Sequence, residues 1–140
     1  MNRVTQHMRA ICDKVFDLAQ SFNAHICVVA VDLGGHPVVL MRGDHAQFAT
    51  IEAARRKAVA ASTLQMPTAA AVDLFKADPL VTTALTASGE MLLIPGGFPV
   101  IFEGNCVGGF GIAGGHYSED DMIGRKALES MRPVRGGAPS

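Results

Sequence analysis

Apolar residues recur at helical spacing over the first part of the chain. Val4, Met8, Ile11, Val15, Leu18 or Ala19, and Phe22 share one face, which predicts an amphipathic helix over residues 4–22. The rhythm then changes. Ile26–Val31 is an unbroken apolar run, the pattern of a strand covered on both faces. After the turn residues "DLGGH", the segment "PVVLMR" predicts a second strand, with Pro37 tolerable only at its start or on an edge. These two strands make a hairpin.

Alanine dominates from Ala46 to about Leu64 and predicts a helix, with Glu52 four residues before Arg56 as a stabilising pair. Pro67 ends that helix or opens the next. Asp78-Pro79 is an N-cap and first-position pair for a short helix through about Thr86, and Ser88-Gly89 breaks it. Three strand candidates follow, at Met91–Ile94, Phe98–Glu103 and Cys106–Ala113, the last two joined by a two-residue loop at Gly104-Asn105. Ser118 and Asp121 form a capping box for a final helix, with Ile123, Ala127 and Met131 as its apolar stripe. Residues 1–134 read as one domain and 135–140 as a loose tail.

Composition narrows the class. The chain has 140 residues, 49% of them hydrophobic and 18% charged, so it can close a core of its own. A net charge of -1 gives no electrostatic reason to expect nucleic acid or an anionic membrane as partner. The amino terminus lacks an apolar signal segment and no stretch is long enough to span a membrane, which predicts a cytoplasmic protein. Cys12, Cys27 and Cys106 fit neither a disulfide framework nor a metal site and read as reduced core cysteines.

Eight of the twenty residues from Gly96 to Gly115 are glycine, and Gly109–Gly114 spells G-x-G-x-x-G. A dinucleotide turn with that spelling must sit between a strand and a crossover helix, with a second strand downstream. Here Gly109 and Gly111 fall inside the strand itself, and the 26 residues after Gly114 hold only one helix and a tail. The fingerprint is therefore false. Alternating glycines leave one strand face bare, open either to the backbone of the Ala-rich helix or to a flat ligand.

Four segments resemble the GlcG/HbpS-like family: "VVAVDLGGHPVVLMR" (28–42), "RGDHA" with "ARRKAVAAST" (42–63), "PGGFPVIFEGNCVGGFGIAGG" (95–115) and "DDMIGRKAL" (120–128). The better-known members of that family bind haem and in some cases degrade it. The resemblance implies an α+β, profilin-like fold, a five-stranded antiparallel sheet with helices packed on its faces. It also implies a homo-oligomer that binds haem, here inside the cell. Where many relatives read R-M-D-G-A, this chain reads Arg42-Gly43-Asp44-His45-Ala46, with an imidazole where glycine is usual.

A non-covalent haem needs an axial side chain and an apolar slot. His7 at the border of the first helix's stripe, His45 before the second helix and His116 after the glycine turn are the candidates, while His25 and His36 read as solvated loop residues. Arg42 and Asp44 stand ready to clamp an anion or to pair with each other. Lys57 shares a helical stripe with Ala46, Ala49, Ala53, Ala60 and Leu64, so its ammonium enters a small-residue face, where it needs a partner. That partner is a haem propionate or substrate carboxylate, or else Asp32 or Asp44 in a fold-holding pair, unless the stem snorkels its ammonium to water. Lys57 is also a candidate acid or base, which leaves a second functional reading: an enzyme using Lys57 with a His or Asp to move protons on a carboxylate or carbonyl substrate. A third reading is an accessory module without chemistry. No resident metal is expected.

Overall fold

The apolar run of the first strand lies inside a sheet that helices cover on both faces. The computed structural model describes residues 1–132, in the order α1 (Arg3–Ser21), β1 (Cys27–Asp32), β2 (Pro37–Arg42), α2 (Ala49–Leu64), α3 (Thr68–Phe75), α4 (Pro79–Thr86), β3 (Gly97–Phe102), β4 (Asn105–Ala113) and α5 (Tyr117–Ser130). The expected tail, 135–140, lies outside the described residues. The strands run in the order β2-β1-β4-β3, each antiparallel to its neighbour.

Side chains alternate across β1 as the period of two requires. Val28 and Ala30 join Phe110 and Ile112 of β4 in a core with Met8, Ile11 and Val15 of α1 and Ile123 and Ala127 of α5. Cys27, Val29 and Val31 point the other way, onto Ala54 and Ala58 of α2. Both faces of β1 are thus dry, which accounts for the lack of polar alternation in its sequence.

The glycines decide how α2 sits. A Cβ on Gly109 would lie 2.5 Å from the Ala58 carbonyl oxygen and 3.0 Å from the Ser62 amide nitrogen. One on Gly97 would lie 2.4 Å from the carbonyl oxygen of Lys57, and one on Gly111 would strike Ala54 and Ala58. The occupant of the bare strand face is therefore the helix backbone.

Several expectations need correction. The described residues contain four strands, not five, because Met91–Ile94 is not one of them. That segment lies against α2 instead: the Leu92 amide donates to the Arg56 carbonyl at 3.2 Å, and Leu93 is buried with Ala60 and Ala71. Burial against a helix and burial in a sheet leave the same apolar run in sequence. The β3–β4 loop is Glu103-Gly104, since Phe102 pairs with Asn105. Positive φ values of 51° and 82° at those two residues give the type I′ turn a two-residue hairpin prefers. Helix α2 starts at Ala49, not Ala46, and Glu52 bonds Arg55 at 2.9 and 3.0 Å in place of Arg56. The cap of α5 is His116, whose Nδ1 accepts the Ser118 amide at 3.2 Å, so Ser118 belongs to the first turn.

The close helix–strand contact predicts the cost of filling it. Gly109→Val forces α2 off the sheet and lowers stability by about 1–3 kcal/mol in denaturant unfolding. An unchanged midpoint would mean that the helix yields freely there.

Candidate functional site

Because α2 lies directly on the glycines, the side chain of Lys57 at its middle is carried under the end of β4 and is only 4% exposed. Its Nζ donates to the Ile112 carbonyl at 2.8 Å and to Asp120 Oδ2 at 3.1 Å. Asp120, 1% exposed, also accepts the Gly115 amide on Oδ1 at 3.3 Å. Gly96, at φ +124°, leaves room for the ammonium: a Cβ there would lie 2.8 Å from Nζ.

Burial pulls the pKa of Lys57 down against the attraction of Asp120, and burial pushes that of Asp120 up against the attraction of Lys57. The partner expected from sequence, Asp32 or Asp44, is thus neither. Asp32 Oδ1 instead accepts the amides of Gly34 and His36 at 2.9 and 3.0 Å, which hold its carboxyl below the ordinary value. Nothing in the sequence around Asp120 marks it as Lys57's partner. There it reads as a first-turn acid complementing the helix dipole.

Lys57 and Asp120 line a cleft of about 390 Å³ whose walls include Ala53, Leu92, Ile94 and Ala113. His116 and Tyr117 stand at its exposed side, their rings 4.1 Å apart. His116 is committed to its capping bond.

A separate cleft of about 400 Å³ is lined by residues of α1 and of the segments flanking β1 and β2. Phe16, Ala19 and Ile26 give it apolar walls, and His25, Arg42, Asp44 and His45 supply the polar groups. The rings of His25 and His45 meet edge to face, 5.4 Å between centres. Among the described residues, no hydrogen bond or ion pair engages either ring. Arg42 Nη1 is pinned by the carbonyls of Gly43 (3.2 Å) and Ala46 (2.9 Å), which leaves Nη2 and Nε of the fork for another acceptor.

The candidate residues therefore divide. Arg42, Asp44 and His45 come together; Lys57 and His116 share the other cleft, so neither Arg42 nor Asp44 joins Lys57. His7 lines neither, its ring lying 5.3 Å from that of Phe102. His25 has the sequence setting of a solvated loop residue, and only its place opposite His45 brings it forward. Cys12 and Cys27 are buried, and burial pushes their thiols up to about 12 and about 11. The described residues hold no group of three or more His, Cys, Asp or Glu placed to bind a metal.

The ion pair predicts a sharp contrast between single and double variants. Lys57→Met alone leaves a carboxylate buried without its cation and costs about 3–5 kcal/mol, whereas Lys57→Met with Asp120→Leu recovers most of that loss. The single variant should also be relatively more stable in acid. An unpaired Asp120 has its folded pKa raised further above the unfolded one, so stability is retained at low pH and lost as pH rises through the folded value. Urea unfolding of the three proteins at two pH values measures both effects.

Known proteins share this architecture. The crystal structure of a double mutant of Streptomyces reticuli HbpS is 27% identical and matches with a TM-score of 0.80 over 92% of this chain and 86% of that one. A PduOC–haem complex has the same fold, with a TM-score of 0.79 at 24% identity over 91% and 93% of the two chains. An uncharacterized 15.0 kDa protein of the dhaT-dhaS intergenic region of Citrobacter freundii is 28% identical over 112 residues, 79% of each chain. Residues 5–129 match the family described as "Haem degrading protein HbpS-like", and the chain belongs to this HbpS-like family.

Proposed function

We propose that the protein binds haem in the cleft that holds His25 and His45. The observation that carries this reading is the pair of imidazoles, neither engaged in holding the fold, on a cleft with apolar walls and a pinned guanidinium. Family membership supports haem as the ligand. Bound haem supplies an iron that takes a neutral imidazole nitrogen, and the chain's part is to bind and orient it.

His45 would hold the iron, with His25 beside it. Asp44 lines the same cleft and would be the carboxylate to take the second ring N–H of that imidazole. The free edge of Arg42 matches a propionate in charge and planar geometry. His116, engaged as a cap, and His7, stacked beside Phe102, are not assigned to the iron, and Lys57 already has its counter-ion.

Self-association is part of the same reading. Helix α4 carries no charge and buries none of its residues, and Leu80 is 77% exposed. Among the described residues, no helix is long and apolar enough to cross a membrane.

Titration of the purified protein with hemin should give a saturable Soret band. The variant carrying His25→Ala and His45→Ala should bind at least tenfold more weakly, a loss of about 1.4 kcal/mol, while His116→Ala should match the parent. Unchanged affinity in the double variant would move the haem out of this cleft. Decay of the band with ascorbate under air is the measurement for degradation.

A further inference from the structure

The cleft around Lys57 is not used by this haem reading, and its chemistry differs. Its walls are Ala49, Ala53, Leu92, Ile94 and Ala113, and its charged groups are Lys57 and Asp120. At about 390 Å³ it falls in the range of small-molecule sites, mostly apolar with a few convergent polar groups. We propose that this cleft binds a small apolar aldehyde or ketone, and that Lys57 captures the carbonyl carbon as an imine with Asp120 as its proton partner.

Three features select this class of ligand. The cation of Lys57 is already matched by Asp120 at 3.1 Å, so a ligand carboxylate would bring a second negative charge against Asp120. A neutral carbonyl adds none. The apolar walls favour an apolar body, and a lysine enclosed by apolar surface beside a group that can take its proton has the setting of a nucleophilic amine. Burial acts on both partners in the same sense, lowering the pKa of Lys57 and raising that of Asp120, so the proton passes between them at reduced cost.

The step balances without an outside reagent. A proton moves from the Lys57 ammonium to the Asp120 carboxylate, and Nζ then bonds to the carbonyl carbon as the carbon–oxygen π pair moves onto oxygen. One proton passes from nitrogen to that oxygen, giving a carbinolamine. Asp120 returns its proton to the hydroxyl, the carbon–oxygen bond breaks, and water leaves. The products are an iminium on Lys57 and an Asp120 carboxylate, the same charge pair with which the step began. The buried site therefore gains no net charge.

The chain contains four lysines, Lys14, Lys57, Lys76 and Lys126, so three serve as internal controls. The native protein is treated at neutral pH with butanal and sodium cyanoborohydride, and alkylation at each lysine is followed by peptide mass mapping. Lys57 should be trapped at least tenfold faster than Lys76, whose side chain is 74% exposed. Ala53→Phe, which fills the cleft while keeping both Lys57 and Asp120, should slow trapping at Lys57 by tenfold or more and leave Lys76 unchanged. Trapping at Lys57 no faster than at the exposed lysines would overturn the proposal and leave the pair a structural one. Trapping that ignores Ala53→Phe would overturn the assignment to this cleft. Neither outcome touches the haem reading, which rests on other residues.

Discussion

The close approach of the α2 backbone to the glycine face of β3 and β4 is the contact on which the rest of the molecule depends. Gly97 and Gly109 would place Cβ atoms 2.4 and 2.5 Å from carbonyl oxygens of the helix, so any side chain there would lift α2 away. With no side chains between them, helix and sheet meet as backbone surfaces, and alanines at 54 and 58 complete the contact. Dispersion over such a surface depends steeply on distance, and a gap of even an ångström forfeits much of it.

That same closeness explains a lysine with 4% exposure in the middle of the helix. Had α2 stood at an ordinary helix–sheet distance, the Lys57 stem would have had room to turn toward water. Instead its ammonium reaches past β4 to the first turn of α5, where Asp120 and the Ile112 carbonyl receive it. The pair ties three elements together. Its net energy is small by the usual accounting of buried ion pairs, because desolvation offsets attraction, but breaking it from one side is costly.

Imidazoles sort themselves by what else they must do. His116 spends one ring nitrogen on the α5 cap and His36 sits against Asp32 in the β1–β2 turn, so both contribute to local structure. His25 and His45 hold up nothing in the described residues, and they face one another where α1 ends and the two hairpin strands begin and end. Their ring nitrogens are thus uncommitted on a partly apolar cleft.

Sequence alone determined α1, α2, α4 and α5 within a few residues, the β1–β2 and β3–β4 hairpins, the double burial of β1 and the rejection of the dinucleotide motif, but left α3 open at Pro67. Those features rest on local rules: the spacing of apolar positions, the chemistry of turns, and the room a glycine leaves. The same pattern singled out Lys57, because a charge on a small-residue stripe is visible in one dimension, while His45 stood level with His7 and His116. Only the tertiary structure decided their company. Asp120 lies 63 positions after Lys57 in the chain and reads there as a capping acid, Arg42 and Asp44 turn to a different cleft, and Met91–Ile94 leaves the sheet to lie on a helix. Each of these is a matter of which buried surfaces meet, and apolar pattern reports that a segment is buried without reporting against what.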